Sequence, residues 1–170
     1  VITRDLARDP LPHIGEDFVA ATRSPAGPAS DAQRDLLALS DTLVDELLAA
    51  DIVVIATPMI NFTIPSNLKT WVDYVARAGR TFSYSEAGLK GLVTGKHAIV
   101  VAARGGVYAT NRSLDFQVPY LTGVLAFLGM TDVEVLEVEG TAFGPEIAEK
   151  AVEAASVKLQ ARCQAVAAAA

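Results

Sequence analysis

The chain has 170 residues, enough for one domain with a sizeable core, and residues 1–170 are read as a single domain. Hydrophobic residues make up 51% and charged residues 20%, which excludes a disordered chain, and a net charge of −6 argues against a nucleic-acid partner, which needs a basic face. Cys163 is the only cysteine, so an intrachain disulfide is excluded and a reducing, cytoplasmic compartment is the default; no apolar run is long enough to span a bilayer.

Residues 1–6 read as a short strand entered without a leading loop. Asp9-Pro10-Leu11-Pro12 breaks regular structure, and residues 15–28, with Phe18 and Arg23, read as a surface excursion. Ser30-Asp31-Ala32-Gln33 forms a capping box. Behind it, Leu36, Leu39, Leu43 and Leu47, with Leu37, Val44 and Leu48, make a wide helical stripe.

Ile52-Val53-Val54-Ile55-Ala56 is β-branched and lacks polar alternation, so it reads as a strand buried on both faces. Thr57-Pro58 ends it, because proline has no N–H for a ladder. Pro65 suits the first turn of a helix whose stripe is Leu68, Trp71, Val72 and Val75 and whose stop is Gly79. The loop between strand and helix, Met59-Ile60-Asn61-Phe62, lies at the carboxyl end of the strand, where open α/β sheets bind ligands. Its apolar side chains either face a flat, partly apolar ligand or pack under a neighbouring loop.

Residues 80–84 alternate as a short extended arm, and residues 88–95 are turn-rich. His97-Ala98-Ile99-Val100-Val101-Ala102-Ala103 is a second buried strand, ending at Arg104-Gly105-Gly106. Residues 114–128 read as a helix, with Pro119 near its start and Gly129 after its end. Residues 133–138 alternate as an edge strand, and Gly144-Pro145 opens a last helix with a stripe of Ala148, Val152, Ala155, Leu159, Cys163 and Val166. The alanine-rich end, residues 165–170, reads as a fraying helix terminus.

Strands alternating with helices define a doubly wound, three-layer α/β/α domain with a parallel sheet. Four strands are visible, whereas a flavodoxin-like sheet has five, ordered 2-1-3-4-5. Strand 1, with its following loop and helix, is missing from this reading, and the domain is expected to begin about 30 residues earlier, the size of a βα unit.

Pro58-Met59-Ile60-Asn61-Phe62, followed by Val75-Ala76-Arg77-Ala78-Gly79, resembles the P-M-Y-N-F and D-x-V-A-R-A-G pattern of the FMN-dependent NADH azoreductase and quinone reductase family. Thr81-Phe82-Ser83-Tyr84, residues 91–96, Arg104-Gly105-Gly106, Arg4-Asp5-Leu6 and residues 140–145 match in the same order, so the resemblance covers nearly the whole chain. It implies a flavodoxin-like homodimer that holds FMN and passes hydride from NADH or NADPH to a quinone or azo substrate. It also implies that Met59, Ile60, Asn61 and Phe62 line the flavin, and that Ala103, Arg104, Gly105 and Gly106 meet its other edge. Ala103 stands where the family often has serine, and Ile60 where it has tyrosine. Tyr84, Phe127 and Arg23 are the substrate-side candidates. The family's serine-rich phosphate loop belongs to the segment missing from the strand count.

No metal-ligand cluster and no Ser/His/Asp set is legible, which fits chemistry carried by a cofactor. His13 and His97 stand alone and read as surface residues, and Trp71 reads as core or dimer contact. Gly105-Gly106 either lets backbone N–H groups approach a flat ring or is a plain tight turn. Arg104 either brings charge to the site or forms a surface ion pair. Asn61 either meets a mixed donor–acceptor edge or makes an Asx-type turn. Two other classes compete with the enzyme. One is an FMN electron carrier without its own substrate. The other is a receiver-like domain, which would need acidic residues at strand ends that read Thr57-Pro58 and Ala103-Arg104.

Overall fold

The computed structural model describes residues 1–23, 29–86 and 88–169. They form two compact units. The first comprises Val1–Val53, Ser66–Lys96 and Val124–Thr131, and the second Val54–Pro65, His97–Gly123 and Asp132–Ala170.

The first unit is built on three helices, α1 (Glu16–Thr22), α2 (Asp31–Ala49) and α3 (Ser66–Val75). Helix α1 replaces the expected excursion over its described part, residues 15–23. Phe18 and Ala21, three apart on one helix face, are buried, and the Phe18 ring lies 4.7 Å from that of Tyr74 on α3. The remainder of the excursion, residues 24–28, lies outside the described residues. The capping box on α2 forms as expected: Gln33 N–H donates to Ser30 Oγ at 3.2 Å, and Ser30 N–H donates to Gln33 Oε1 at 3.0 Å. Leu43, Val44 and Leu47 carry the buried stripe, while Leu48 is exposed.

Where α2 meets α3, polar groups are satisfied inside the core. The Ser40 hydroxyl donates to Tyr74 C=O at 2.6 Å, and Arg77 Nη1 donates to Ser40 Oγ at 2.6 Å. The Tyr74 hydroxyl is the exception: it is buried and has no partner among the described residues, and burial raises its pKa. An unsatisfied buried hydroxyl costs free energy that a phenyl ring of the same shape avoids. Tyr74→Phe is therefore expected to leave stability unchanged or raise it by about 1 kcal/mol, read from urea denaturation. A loss above that size would reveal a hydroxyl partner.

Residues 1–6, expected as a strand, are not one. Val1 and Ile2 are exposed. An extended segment with no neighbouring strand has nowhere to place its ladder hydrogen bonds. Instead, β2 (Phe82–Ser85) and β3 (Gly88–Gly91) make an antiparallel hairpin from the alternating arm and the turn-rich stretch after it.

The second unit holds the parallel sheet. Strands β1 (Ile52–Pro58, with Ile52 and Val53 in the first unit), β4 (His97–Ala103) and β5 (Asp132–Val138) are ordered β1-β4-β5. This is chain order, as in the last three strands of a 2-1-3-4-5 sheet. The central β4 is buried along Ala98, Ile99, Val100 and Ala102, as its apolar run implies, and β5 lies at the edge, as its alternation implies. β1 departs from expectation. Ile55 and Thr57 are buried, but Ile52, Val54 and Ala56 on the opposite face are exposed, Val54 by 56%. A strand's side chains alternate between faces, and only one face of β1 is covered among the described residues.

Helix α4 (Gln117–Leu128) begins three residues later than the periodicity suggests, because Asp115 caps it: Oδ1 accepts from Gln117 N–H and Val118 N–H, both at 3.2 Å. Helix α5 (Pro145–Ala169) turns Ala155 inward and half-buries Ala148, Ala151, Leu159 and Arg162, whereas Val152 and Cys163, expected on its stripe, are exposed. The inward face is set by residues 3–4 apart, and Ala151 with Arg162 continues that row where Val152 and Cys163 do not. Among the described residues no helix is long and apolar enough to cross a membrane.

Candidate active site at the carboxyl edge of the sheet

β1 stops at Pro58, and Met59 N–H crosses to the end of the neighbouring strand, donating to Ala103 C=O at 2.7 Å. That bond joins the two loops singled out in the sequence. Beyond it the chain reverses tightly: Ile60 and Thr63 exchange backbone bonds of 2.9 and 3.1 Å. The two residues between them take left-handed φ angles, Asn61 at 47° and Phe62 at 72°. Asparagine tolerates that conformation, but a bulky aromatic seldom does, so the turn holds strain at Phe62. Its carbonyl is pinned by Phe116 N–H at 3.0 Å. Ile60 and Phe62 stay 50% and 44% exposed, and Asn61 is exposed with no side-chain bond among the described residues.

The second loop follows β4. Arg104 N–H donates to Val138 C=O at 2.8 Å, and the loop then lies on residues 140–142. Thr141 N–H donates to Arg104 C=O at 3.1 Å, Ala142 N–H to Gly105 C=O at 3.1 Å, and Gly140 N–H to Gly106 C=O at 3.0 Å. Gly140 holds φ at 77°, where a Cβ would meet Ile147 Cγ2 at 3.3 Å, so this support requires glycine. With all three carbonyls engaged, the N–H groups of Gly105 and Gly106 donate no bond among the described residues.

Arg104 does not form the surface ion pair that was one of its two readings. Its side chain is fully buried. Nε donates to Gln117 Oε1 at 3.1 Å and Nη1 to Glu139 Oε1 at 3.1 Å; Nη1 also lies 3.0 Å from Glu137 Oε1, and Nη2 lies 3.1 Å from Asp115 Oδ2, off a hydrogen-bonding direction. The Tyr108 ring stacks near the guanidinium, 5.5 Å from centroid to Cζ. Arg112 completes the cluster with bonds of 2.8 and 2.9 Å to the Glu137 carboxylate. The Arg112 hydrogen bond, with the charge of Arg104, holds the Glu137 carboxyl below its ordinary range, and the same pairing holds the Arg112 guanidinium above its own. Sequence reasoning missed Asp115, Gln117, Glu137 and Glu139. The one available signal was the pair of glutamates at the end of the strand that lies beside the arginine.

Met59, Ile60, Asn61, Phe62, Ala103, Arg104, Gly105 and Gly106 thus gather in the second unit, with Arg104 committed inward. Tyr84, Phe127 and Arg23 belong to the first unit. Tyr84 projects from β2 with 71% exposure, and Phe127 is half-buried with its ring 4.7 Å from that of Phe82. Arg23 is exposed directly after α1. The residues at the sheet edge fit a flavin ring: exposed apolar side chains on one loop, and two undonated backbone N–H groups on a side-chain-free stretch of the other.

A parallel sheet in chain order, with its open loops at the carboxyl edge, places the chain among the flavodoxin-like α/β proteins. The family described as Flavodoxin-like fold matches residues 1–163. The FMN-dependent NADH:quinone oxidoreductase of Rhizobium johnstonii is 53% identical over 162 residues, covering 94% of this chain and 79% of its own, and that of Agrobacterium fabrum is 53% identical over 167 residues, covering 97% and 82%. Among solved structures, an azoreductase from Bacillus anthracis str. Sterne superposes with a TM-score of 0.81 at 32% identity, covering 91% of this chain and 76% of its own. An FMN-dependent NADH-azoreductase from Bacillus anthracis str. Ames Ancestor, in complex with FMN, gives 0.80 at 27% identity, covering 90% and 78%. The chain belongs to the flavodoxin-like family of FMN-dependent NADH:quinone oxidoreductases and azoreductases.

Proposed function

We propose that this chain is an FMN-dependent oxidoreductase that takes hydride from NADH or NADPH and delivers it to quinones and azo compounds, working as a homodimer in the cytoplasm. The observation that carries the reading is the joining of the 59–62 and 103–106 loops at the carboxyl edge of the sheet, with Gly105 and Gly106 N–H groups undonated. Bound FMN supplies the hydride chemistry. Met59, Ile60 and Phe62 offer apolar surface to the ring, and Asn61 an amide that both donates and accepts. The Gly105 and Gly106 N–H groups present fixed dipoles to charge on the ring's polar edge. Ala103 contributes backbone, its carbonyl already holding Met59. Tyr84, Phe127 and Arg23 are assigned to the substrate side.

One stacking surface cannot hold nicotinamide and acceptor together, so the donor leaves before the acceptor enters, which is a ping-pong order. Double-reciprocal plots with NADH and a quinone varied are expected to be parallel. Intersecting lines would reject the shared surface. Consumption of NADH that no quinone accelerates would favour the electron-carrier reading.

A further inference from the structure

We propose that Arg104 is a positioning residue that sets the spacing of the two candidate flavin loops through Gln117, Asp115 and Glu139, a role that rests on the cofactor reading above. Its guanidinium reaches the segments that flank both loops, each through a single intermediate residue. Toward the first loop, Arg104 Nε donates to Gln117 Oε1 at 3.1 Å, and Gln117 Nε2 donates to Thr57 C=O at 3.2 Å, next to the proline that ends β1. Asp115, paired with Nη2, caps α4, and between these two residues Phe116 N–H holds the strained Phe62 carbonyl at 3.0 Å. Toward the second loop, Glu139, bonded to Nη1, accepts Tyr108 N–H at 2.9 Å and Ala109 N–H at 3.3 Å. Residues 104–106 are thereby held from both ends.

The chemistry requires arginine. A planar fork with five donors serves three carboxylate partners and an amide oxygen in fixed directions, whereas a lysine ammonium offers three donors from a single point. Asp115 and Gln117 are both buried, so each is held by what it bonds and not by solvent. Phe116, mounted between them, is exposed but has an anchored backbone. The strain at Phe62 persists only if its surroundings over-determine it, and the Phe116 bond is the part of that restraint that depends on Arg104.

The test compares wild type with Gln117→Leu, which keeps the buried volume and leaves Arg104 its three carboxylates, and with Arg104→Lys. Three quantities are read: the FMN dissociation constant by fluorescence quenching, the visible band of bound FMN, and amide exchange at Met59 and Phe116 in the cofactor-free protein. Gln117→Leu is expected to weaken FMN binding about tenfold, as the loss of outer-shell partners does elsewhere, to shift the visible band and to speed both exchanges. Arg104→Lys is expected to do the same more strongly. If the thermal midpoint falls while binding, spectrum and exchange all stay at wild-type values, Arg104 only stabilises the fold and the proposal is overturned. Should wild type bind no FMN, the cofactor reading fails, and exchange at Met59 and Phe116 still decides whether the tether exists.

Discussion

Gly106→Val is expected to slow bleaching of bound flavin by NADH about a hundredfold, or to strip FMN from the protein, while the cofactor-free chain stays folded. The expectation follows from where the new side chain goes. The Gly105 carbonyl, in the same peptide unit as the Gly106 N–H, is engaged by Ala142 N–H, so that plane cannot turn away, and the N–H donates no bond among the described residues. A Cβ at this position would meet the Tyr108 ring at 3.4 Å, which is ordinary contact, so the fold accommodates a methyl and crowding begins with the branches of valine. Stability therefore changes little, and the bulk stands where a flat ring would approach the backbone. A displacement of about 1 Å suffices for a hundredfold loss of rate. Stopped-flow absorbance measures the bleaching and equilibrium dialysis the retained FMN. Normal bleaching with FMN retained would remove the 104–106 loop from the site.

The second large effect is on folding. Gly91→Ala is expected to destabilise the protein by about 3 kcal/mol or more. Gly91 ends β3, and a Cβ there would lie 2.3 Å from Gly129 N and 2.5 Å from Leu128 C, both backbone atoms that cannot rotate aside. The neighbouring contact is bonded too: Val93 N–H donates to Leu128 C=O at 2.8 Å, so the two segments cannot separate without losing it. Gly129 itself holds φ at 109°, closing α4 in a conformation that side chains avoid. Urea denaturation of Gly91→Ala beside Gly15→Ala, where a Cβ meets nothing and φ is an ordinary −118°, separates close approach from general glycine effects. Equal losses in the two variants would show that the packing at Gly129 is looser than its geometry implies.

Local chemistry made much of the fold legible. The capping box at Ser30, the apolar run of β4, the alternation of β5 and the glycine stop at Gly129 are each encoded within a few residues. Helix α3, by contrast, ends at Val75, short of the expected stop at Gly79, with Thr81 Oγ1 donating to the Val75 carbonyl and accepting from the Arg77 N–H. The candidate loops were legible for the same reason, since each follows directly on a readable strand. Residues 1–6 failed as a strand because a short apolar start cannot by itself supply a neighbour to pair with. Helix α1 was missed because Phe18 and Ala21 form a short stripe between a proline-rich segment and a glycine- and proline-containing one, and its burial depends on Tyr74, far along the chain.

The sequence by itself determined the alternation of strands and helices, the place where the sheet's open edge falls, and the apolar, glycine-bearing character of the loops there. These follow from periodicity and from residues that act on their own backbone: proline by its missing N–H, glycine by its missing Cβ, serine by its short hydroxyl. Only the tertiary structure decided that Phe62 sits in a strained turn, that Gly91 and Gly129 touch, and that Arg104 faces inward. An arginine after a strand has no local partner to declare its direction. Asp115, Glu137 and Glu139 reach it only once β5 pairs beside β4 and α4 starts below the loop, and an ion pair's geometry depends on distance in space, which spacing along the chain does not encode.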